Sequence, residues 1–338
     1  ISGNIYDATV CTPASSYCSS ASQPEALGVS TALAKSVTTY VGAGWDFATV
    51  WTTPGQVMTG QYPTLIWQAG QAAFGTPPTA VNSITYSGGN GSAGTPYLIS
   101  NNNDWNAFVF DRSRWTNTAN NFKLTADLDF SGAVLNVIGS SSYPFTGQFD
   151  GQNHTISNFT MSGTLQVGLF GNVGVSGLVS GVVVNGANIS GGDQVGGIAG
   201  YSVGKIYRAG VGGSSTISGL NGGYDNVGGI VGAQAKPGIV EECFVDSGVT
   251  VQSTGGGQLG GIAGSSTGTA ATAGNFSTIK NSYSRATVSG NLDRFGGMAG
   301  YSTYTQYLNN YFAGISNDTN GTGLERGIVG WDSTGTII

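Results

Sequence analysis

The stretch VGGIAG, residues 195–200, decides the fold. Two apolar residues flank a glycine pair, and a small residue and a third glycine come next. The pattern returns as VGGIVG at 227–232, LGGIAG at 259–264 and FGGMAG at 295–300, with looser relatives VGLFG at 167–171 and RGIVG at 326–330. The closing glycines lie 29, 32, 32, 36 and 30 residues apart. A recurring interval of this size marks an architecture in which each repeat packs on its neighbours. One period cannot bury its own apolar face, whereas stacked periods can. Stacking puts Val195, Val227, Leu259 and Phe295 in one inner column and Ile198, Ile230, Ile262 and Met298 in another. The glycine pair between the columns suits a corner or bulge, where a Cβ would be in the way.

Between these strings lie KIYRAG (205–210), VEECFV (240–245), IKNSYSRATVSG (279–290) and YLNNYFAG (307–314). Each is a short apolar alternation ended by Gly, Asn or Ser, and none has the periodicity of a long helix. The expected fold is therefore all-β: a parallel β-helix, or β-solenoid, of Gly-rich repeats, each coil adding about 4.8 Å.

Composition agrees. The 338 residues include 58 glycines, 8% charged residues and 10% aromatics, whereas a disordered chain has fewer aromatics and more charge. No apolar run approaches the roughly 18 residues of a membrane span. A net charge of −6 with 11 Lys and Arg in no stripe argues against nucleic acid as a partner. Nothing resembles a signal peptide, which reads as a mature, excised or cytosolic chain. The overall look is extracellular or cell-surface. Cys11 and Cys18 flank TPASSY, a spacing that fits either a small disulfide loop or two thiols, and the extracellular look favours the disulfide. Cys243 reads as a small buried hydrophobe.

VGGIAGYSVGKI (195–206) and IKNSYSRATVSG resemble the GLUG motif of bacterial and archaeal surface proteins and adhesins. Upstream, GTPYLISNNNDWNAF (94–108), NNFKLTADLDFSG (120–132) and VIGSSSYPFTGQFDGQNHTISNFTMSG (137–163) resemble the entry to such solenoids. The resemblance covers roughly residues 83 to 338 and implies a right-handed parallel β-helix or similar solenoid with a capped N-terminal end. Short capping helices are expected. NNNDWNAFVF (101–110) fits one, with Asn102 or Asn103 as cap and Trp105, Phe108 and Val109 on one face.

The first seventy residues differ. GNIYDATVCTPASSYC (3–18), VSTALAKSVTTYVGAGWDFATVW (29–51) and QYPTLIWQ (61–68) are similar to the segment beyond the last coil in this family. The expected organisation is a solenoid-terminating cap at 1–70, a linker at 71–82, a solenoid entry at 83–166 and repeat coils at 167–338. Running GIVGWDSTGTII (327–338) into SGNIYDATV (2–10) gives one uninterrupted repeat, with Tyr6 in the place of Tyr283 and Tyr311. The last coil is then open, and the cap comes by fold-back, from a neighbouring chain, or from the next copy in a tandem array. Fold-back asks residues 70–82 to pass eight coils, roughly 40 Å, near their limit of about 3.3 Å per residue. The favoured partner is another copy, head to tail, through Ile1, Ile5, Tyr6, Ile328, Ile337 and Ile338.

No catalytic or cofactor-binding residue is marked, and the chain is read as a non-enzyme. His154 is the one histidine and lacks ligands at metal spacing; no HExxH occurs, so the peptidase activity of some GLUG-bearing proteins has no seat here. Asp127, Asp129 and Asp150 match the family's entry motif and read as structural. Asp193, Asp225 and Asp293 each precede a glycine pair by three residues; they either cap turns or share a cation such as Ca2+. Glycosylation sequons begin at Asn90, Asn153, Asn158, Asn188, Asn275, Asn317 and Asn320. The first reading is a structural extracellular protein, either a filament subunit or one repeat of a long adhesin. The alternatives are a glycan-binding module using Trp45, Trp51, Trp67, Trp115 and Trp331, with cell-surface or environmental glycans as partners, or a β-helical polysaccharide-degrading enzyme.

Overall fold

The structure is a computed structural model. It describes residues 85–220, 225–255, 257–270, 274–290, 294–318 and 328–332, and the backbone of four short strands nearer the N-terminus. Strands make up 52% and helices 6%, and parallel stacked sheets form a β-solenoid of about six turns.

One coil shows the plan. The chain runs through Gln194–Gly196, Ala199–Ser202, Lys205–Tyr207, Gly210–Gly212 and Thr216–Gly219. The next coil repeats these strands as Asp225–Gly228, Val231–Ala235, Ile239–Glu241, Phe244–Val245 and Thr250–Ser253. Each strand pairs in parallel with its counterpart one coil on. Such strands meet ladder partners on both sides, so short strands suffice to satisfy the backbone.

Both predicted columns form. Val167, Val195, Val227, Leu259 and Phe295 are in register and buried. Ile198, Ile230, Ile262 and Met298 are fully buried; their N–H groups donate in turn to the carbonyls of Ile230, Ile262, Met298 and Ile328 at 2.9–3.0 Å. The need for glycine is one of close approach. A Cβ on Gly196, Gly228 or Gly260 would lie 2.2, 2.1 or 2.0 Å from the carbonyl oxygen of Ala199, Val231 or Ala263. A third column, aligned through eight strands, runs Tyr97, Phe122, Phe149, Val179, Ile206, Val240, Ile279, Tyr307. The count of eight coils thus holds for one face only. The faces that begin at Gln166–Val167 and Phe170–Val173 have five and six strands.

The interior changes character along the stack. At its start Phe145 lies 4.9 Å from Phe170 and 6.4 Å from Phe122, and Phe149 lies 5.4 Å from Phe170, centroid to centroid. Full burial of such a side chain stabilises by about 1.5–3 kcal/mol. Further on, the column that starts at Val173 continues as Ser202, Gln234, Ser266 and Ser302, all buried. Hydrogen bonds compensate. Gln234 Nε2 donates to Ser266 Oγ at 3.0 Å, Ser266 and Ser277 share a bond of 2.7 Å, and Thr305 Oγ1 donates to the Ser266 carbonyl at 2.8 Å.

Helices occupy the connection between the first two rungs, at Asn102–Phe110 and Arg112–Trp115. The predicted face is buried at Trp105, Phe108 and Val109, with the Trp105 and Phe108 rings edge to face at 5.6 Å. The Asn102 amide donates to the Asp129 carbonyl at 2.9 Å.

The chain divides into two compact units. One holds residues 1–88 and 103–113, the other residues 89–102 and 114–338. In the first, Asn4–Asp7 pairs in parallel with Ala26–Val29, and Trp51–Thr52 pairs antiparallel with Thr64–Leu65. The expected linker at 71–82 lies outside the described residues.

Candidate functional site

Among the described residues the stack ends on Phe295–Gly296, Thr305–Leu308, Tyr311–Phe312, Ile315–Asp318 and Val329–Asp332, each the last member of its row. Ile328 ends the second inner column, its carbonyl accepting the N–H groups of Met298 and Ala299 at 2.9 and 3.1 Å. A terminal strand presents unpaired N–H and C=O groups, a template for another strand.

The side chains of this rung break the pattern below them. Ile315 continues an outward row of Asn188, Thr216, Thr250 and Thr287, yet it is apolar and 57% exposed. The adjoining inward column of Ile189, Ile217, Val251 and Val288 ends on Ser316. Leu308, 43% exposed, stands where Tyr207, Glu241 and Lys280 stand in earlier coils. Polar and apolar positions are thus exchanged at the strand Ile315–Asp318, which turns an apolar side chain outward on the last described rung.

An aromatic ladder leads to the same place. Its row runs Gly210, Phe244, Tyr283, Tyr311. Gly210 leaves room for the Phe244 ring, which a Cβ would approach to 2.2 Å. Phe244 and Tyr283 stack at 5.8 Å and 21°, and Tyr283 and Tyr311 at 5.4 Å and 20°. The Arg285 guanidinium, ion-paired with Asp246, lies 5.8 Å from the Tyr283 centroid. The ladder ends on Tyr311, which is 52% exposed.

Beside the ladder runs a charged corner. Glu241 takes Lys205 at 2.7 Å and Lys280 at 3.1 Å, and Arg208 pairs with Glu242 at 2.7 Å. Hydrogen bonds from Lys205 and then Lys280 hold the Glu241 carboxyl below its usual range. Lys205 and Arg208 also lie 4.6 and 4.8 Å from the Tyr207 ring centroid. Each of these cations is ion-paired, Lys205 and Lys280 sharing Glu241, so the corner has the character of a laced surface rather than an anion pocket.

The structure distributes the other predicted positions widely. Ile5 and Tyr6 lie in the strand Asn4–Asp7. Ile1, Ile337, Ile338, Cys11, Cys18, Trp45, Trp67, Asp293 and Asn320 lie outside the described residues, as do the side chains of Trp51, Asn317 and Trp331. Trp115 is buried at 5% exposure. Asp193 and Asp225 are on successive rungs: Asn226 N–H donates to the Asp193 carbonyl at 2.6 Å, and the fully buried Asp225 accepts Ser253 Oγ at 3.2 Å. No group of three or more His, Cys, Asp or Glu that could hold a metal occurs among the described residues. Asp127 accepts the Thr155 N–H at 2.8 Å and faces His154 Nδ1 at 3.0 Å. Asp129 accepts from Ser131 and Asn158, and Asp150 from Gln152. All three aspartates brace turns. Cys243 is free and buried, its thiol pushed up to about 12 by burial. Two features escape the sequence pattern: the polar interior and the stacking of the ladder.

No family model matches the chain. Over 182 residues, 50% of this chain, it is 34% identical to halomucin of Haloquadratum walsbyi, and the match spans 2% of that protein's length. A solved structure from Bacteroides ovatus, provisionally named an immunoglobulin A1 protease, aligns with a TM-score of 0.52 at 20% identity, covering 73% of this chain and 87% of that one. That likeness is one of fold. Among the described residues no helix is long and apolar enough to cross a membrane.

Proposed function

We propose that this chain is a structural, non-catalytic repeat of an extracellular surface protein, and that copies join head to tail by continuing the solenoid. The observation that carries this is the final described rung: the last strands of their rows, with no further strand beyond them among the described residues, carry the exposed side chains of Leu308, Tyr311 and Ile315. A further coil would pair those strands, cover the apolar side chains and lay a ring on Tyr311. The segment NIYD at 4–7 belongs to a parallel strand and is the candidate first rung of the incoming copy. The halomucin match favours a surface setting. Stacking on sugars is disfavoured at this site. The inner ladder rings already face one another, and Trp115 is buried.

Negative-stain microscopy and sizing of the purified chain test the reading. Wild type is expected to form rods longer than one solenoid. Tyr311→Lys combined with Ile315→Lys should leave short particles with an unchanged circular dichroism spectrum. Wild type that stays as short, discrete monomers at all concentrations would refute the assembly.

A further inference from the structure

Five of the seven sequons lie in described side chains, and the fold treats them differently. Asn158 donates its Nδ2 to Asp129 Oδ1 at 3.1 Å, so its amide is engaged. Asn275 shares its sequon with Ser277, which is fully buried and bonded to Ser266 and Thr305. Asn153 precedes Thr155, whose N–H is taken by Asp127. Asn188 opens the strand Asn188–Gly191, held between two rungs. An extended, paired strand cannot turn its side-chain amide back toward the hydroxyl two residues on.

Asn90 is different. Asn90, Ser92 and Thr95 are all exposed, on a loop ahead of the strand Tyr97–Ile99. Asn90 Oδ1 accepts the Ser92 N–H at 3.0 Å and the Thr95 hydroxyl at 2.6 Å. Both bonds draw electron density toward the oxygen and fix the amide plane, while among the described residues no bond holds Nδ2. Ser92 Oγ and Thr95 Oγ1 share a bond of 2.7 Å, completing a closed hydroxyl–amide ring at the surface. The loop is anchored: Asn90 and Gly91 N–H donate to the Thr95 carbonyl at 2.9 and 3.0 Å, and the Gly91 carbonyl accepts the Asn121 N–H at 2.8 Å. Gly91 has φ +84°, and a Cβ there would come within 2.3 Å of the Tyr97 ring. The middle residue of this sequon is thus required to be glycine, and the loop holds its shape.

We infer that, of the five sequons among the described side chains, Asn90 is the one that the folded chain presents for N-linked glycosylation. The co-reactant is a sugar activated as a lipid-linked diphosphate, delivered by a transferase. Asn90 Nδ2 forms the bond to the anomeric carbon, the carbon–oxygen bond to the diphosphate breaks, and the diphosphate leaves with the electron pair. The amide proton passes to a base of the transferase. A glycan there would stand at the entry end of the solenoid, at the opposite end of the described sequence from the terminal rung.

Secretion of the full chain from a host that N-glycosylates, then peptide mass spectrometry, tests the assignment. Asn90 should carry glycan at an occupancy at least several-fold above that of Asn158, Asn188 or Asn275. Ser92→Thr should keep it and Ser92→Ala should abolish it. Asn90→Asp retains the accepting oxygen but lacks the amide, and should give a folded, secreted protein without that glycan. An unmodified Asn90, equal occupancy at Asn153, Asn158, Asn188 or Asn275, or persistence of the glycan in Ser92→Ala would overturn the proposal.

Discussion

The first rungs and the last rungs of the solenoid share one backbone plan and two apolar columns, and differ in the chemistry of one inner face. Near the start, Phe122, Phe145, Phe149 and Phe170 pack ring against ring with no side-chain polar atom among them. Further on, the interior holds Gln234, Ser266, Ser277, Ser302, Thr305 and Tyr307, each buried and making at least one hydrogen bond, with Gln234 Oε1 left without a partner among the described residues. Apolar packing is non-directional and tolerates small slips, whereas a hydroxyl network is satisfied in one alignment only. The aromatic cluster therefore adds cohesion to the early coils, and the polar column ties the late coils to one register. Register matters in such a stack, because a slip of one residue would turn every side chain of a strand to the wrong face.

The largest expected effect breaks the early half. Phe170 touches both Phe145 and Phe149, and Phe170→Ala should cost about 3–5 kcal/mol through lost transfer energy and a residual cavity. Chemical denaturation reads it directly. A cost below about 1 kcal/mol would mean that the aromatic cluster is not what holds the first coils together.

A smaller effect sharpens the contrast. Thr305→Val removes a hydroxyl that bonds the Ser266 carbonyl and Ser277 Oγ, and should cost about 1–3 kcal/mol because its partners stay buried. Pairing it with Ser277→Ala should recover part of that loss, since both ends of one bond are then gone. Simple addition of the two single effects would show that the hydroxyls act separately rather than as a network.

How far the sequence announced this division varies by residue. Val195, Val227, Leu259 and Phe295, with Ile198, Ile230, Ile262 and Met298, were legible because an apolar residue beside a glycine pair at a fixed interval has one economical packing. The helix at Asn102–Phe110 was legible from the spacing of Trp105, Phe108 and Val109. The polar column was hidden. Ser202, Gln234, Ser266 and Ser302 sit among glycines, where serine and glutamine read as turn residues facing water. Only the register, which brings Gln234 beside Ser266, shows that they point inward. The ladder was half visible. Tyr283 and Tyr311 were recognised as equivalent, but Phe244 joins them because Gly210 beneath it has no side chain, a fact about two coils at once.

The smallest effect concerns charge at the entry turns, where the early half departs from its apolar character. The backbone N–H of Thr155, and secondarily His154, hold the Asp127 carboxyl below its usual range. A carboxylate with a depressed folded-state pKa contributes stability that is present above its unfolded value, about 3.9, and is lost as pH falls through the folded value. Asp127 is 72% exposed on its side chain, so solvent screens most of the benefit. Asp127→Asn keeps an oxygen for the Thr155 N–H and discards the charge. Its melting temperature should therefore lie slightly below wild type from neutral pH to about 5, and the gap should close below about pH 4. A gap that widens on acidification would mean that the charge at this turn opposes the fold, and the early coils would then owe nothing to electrostatics.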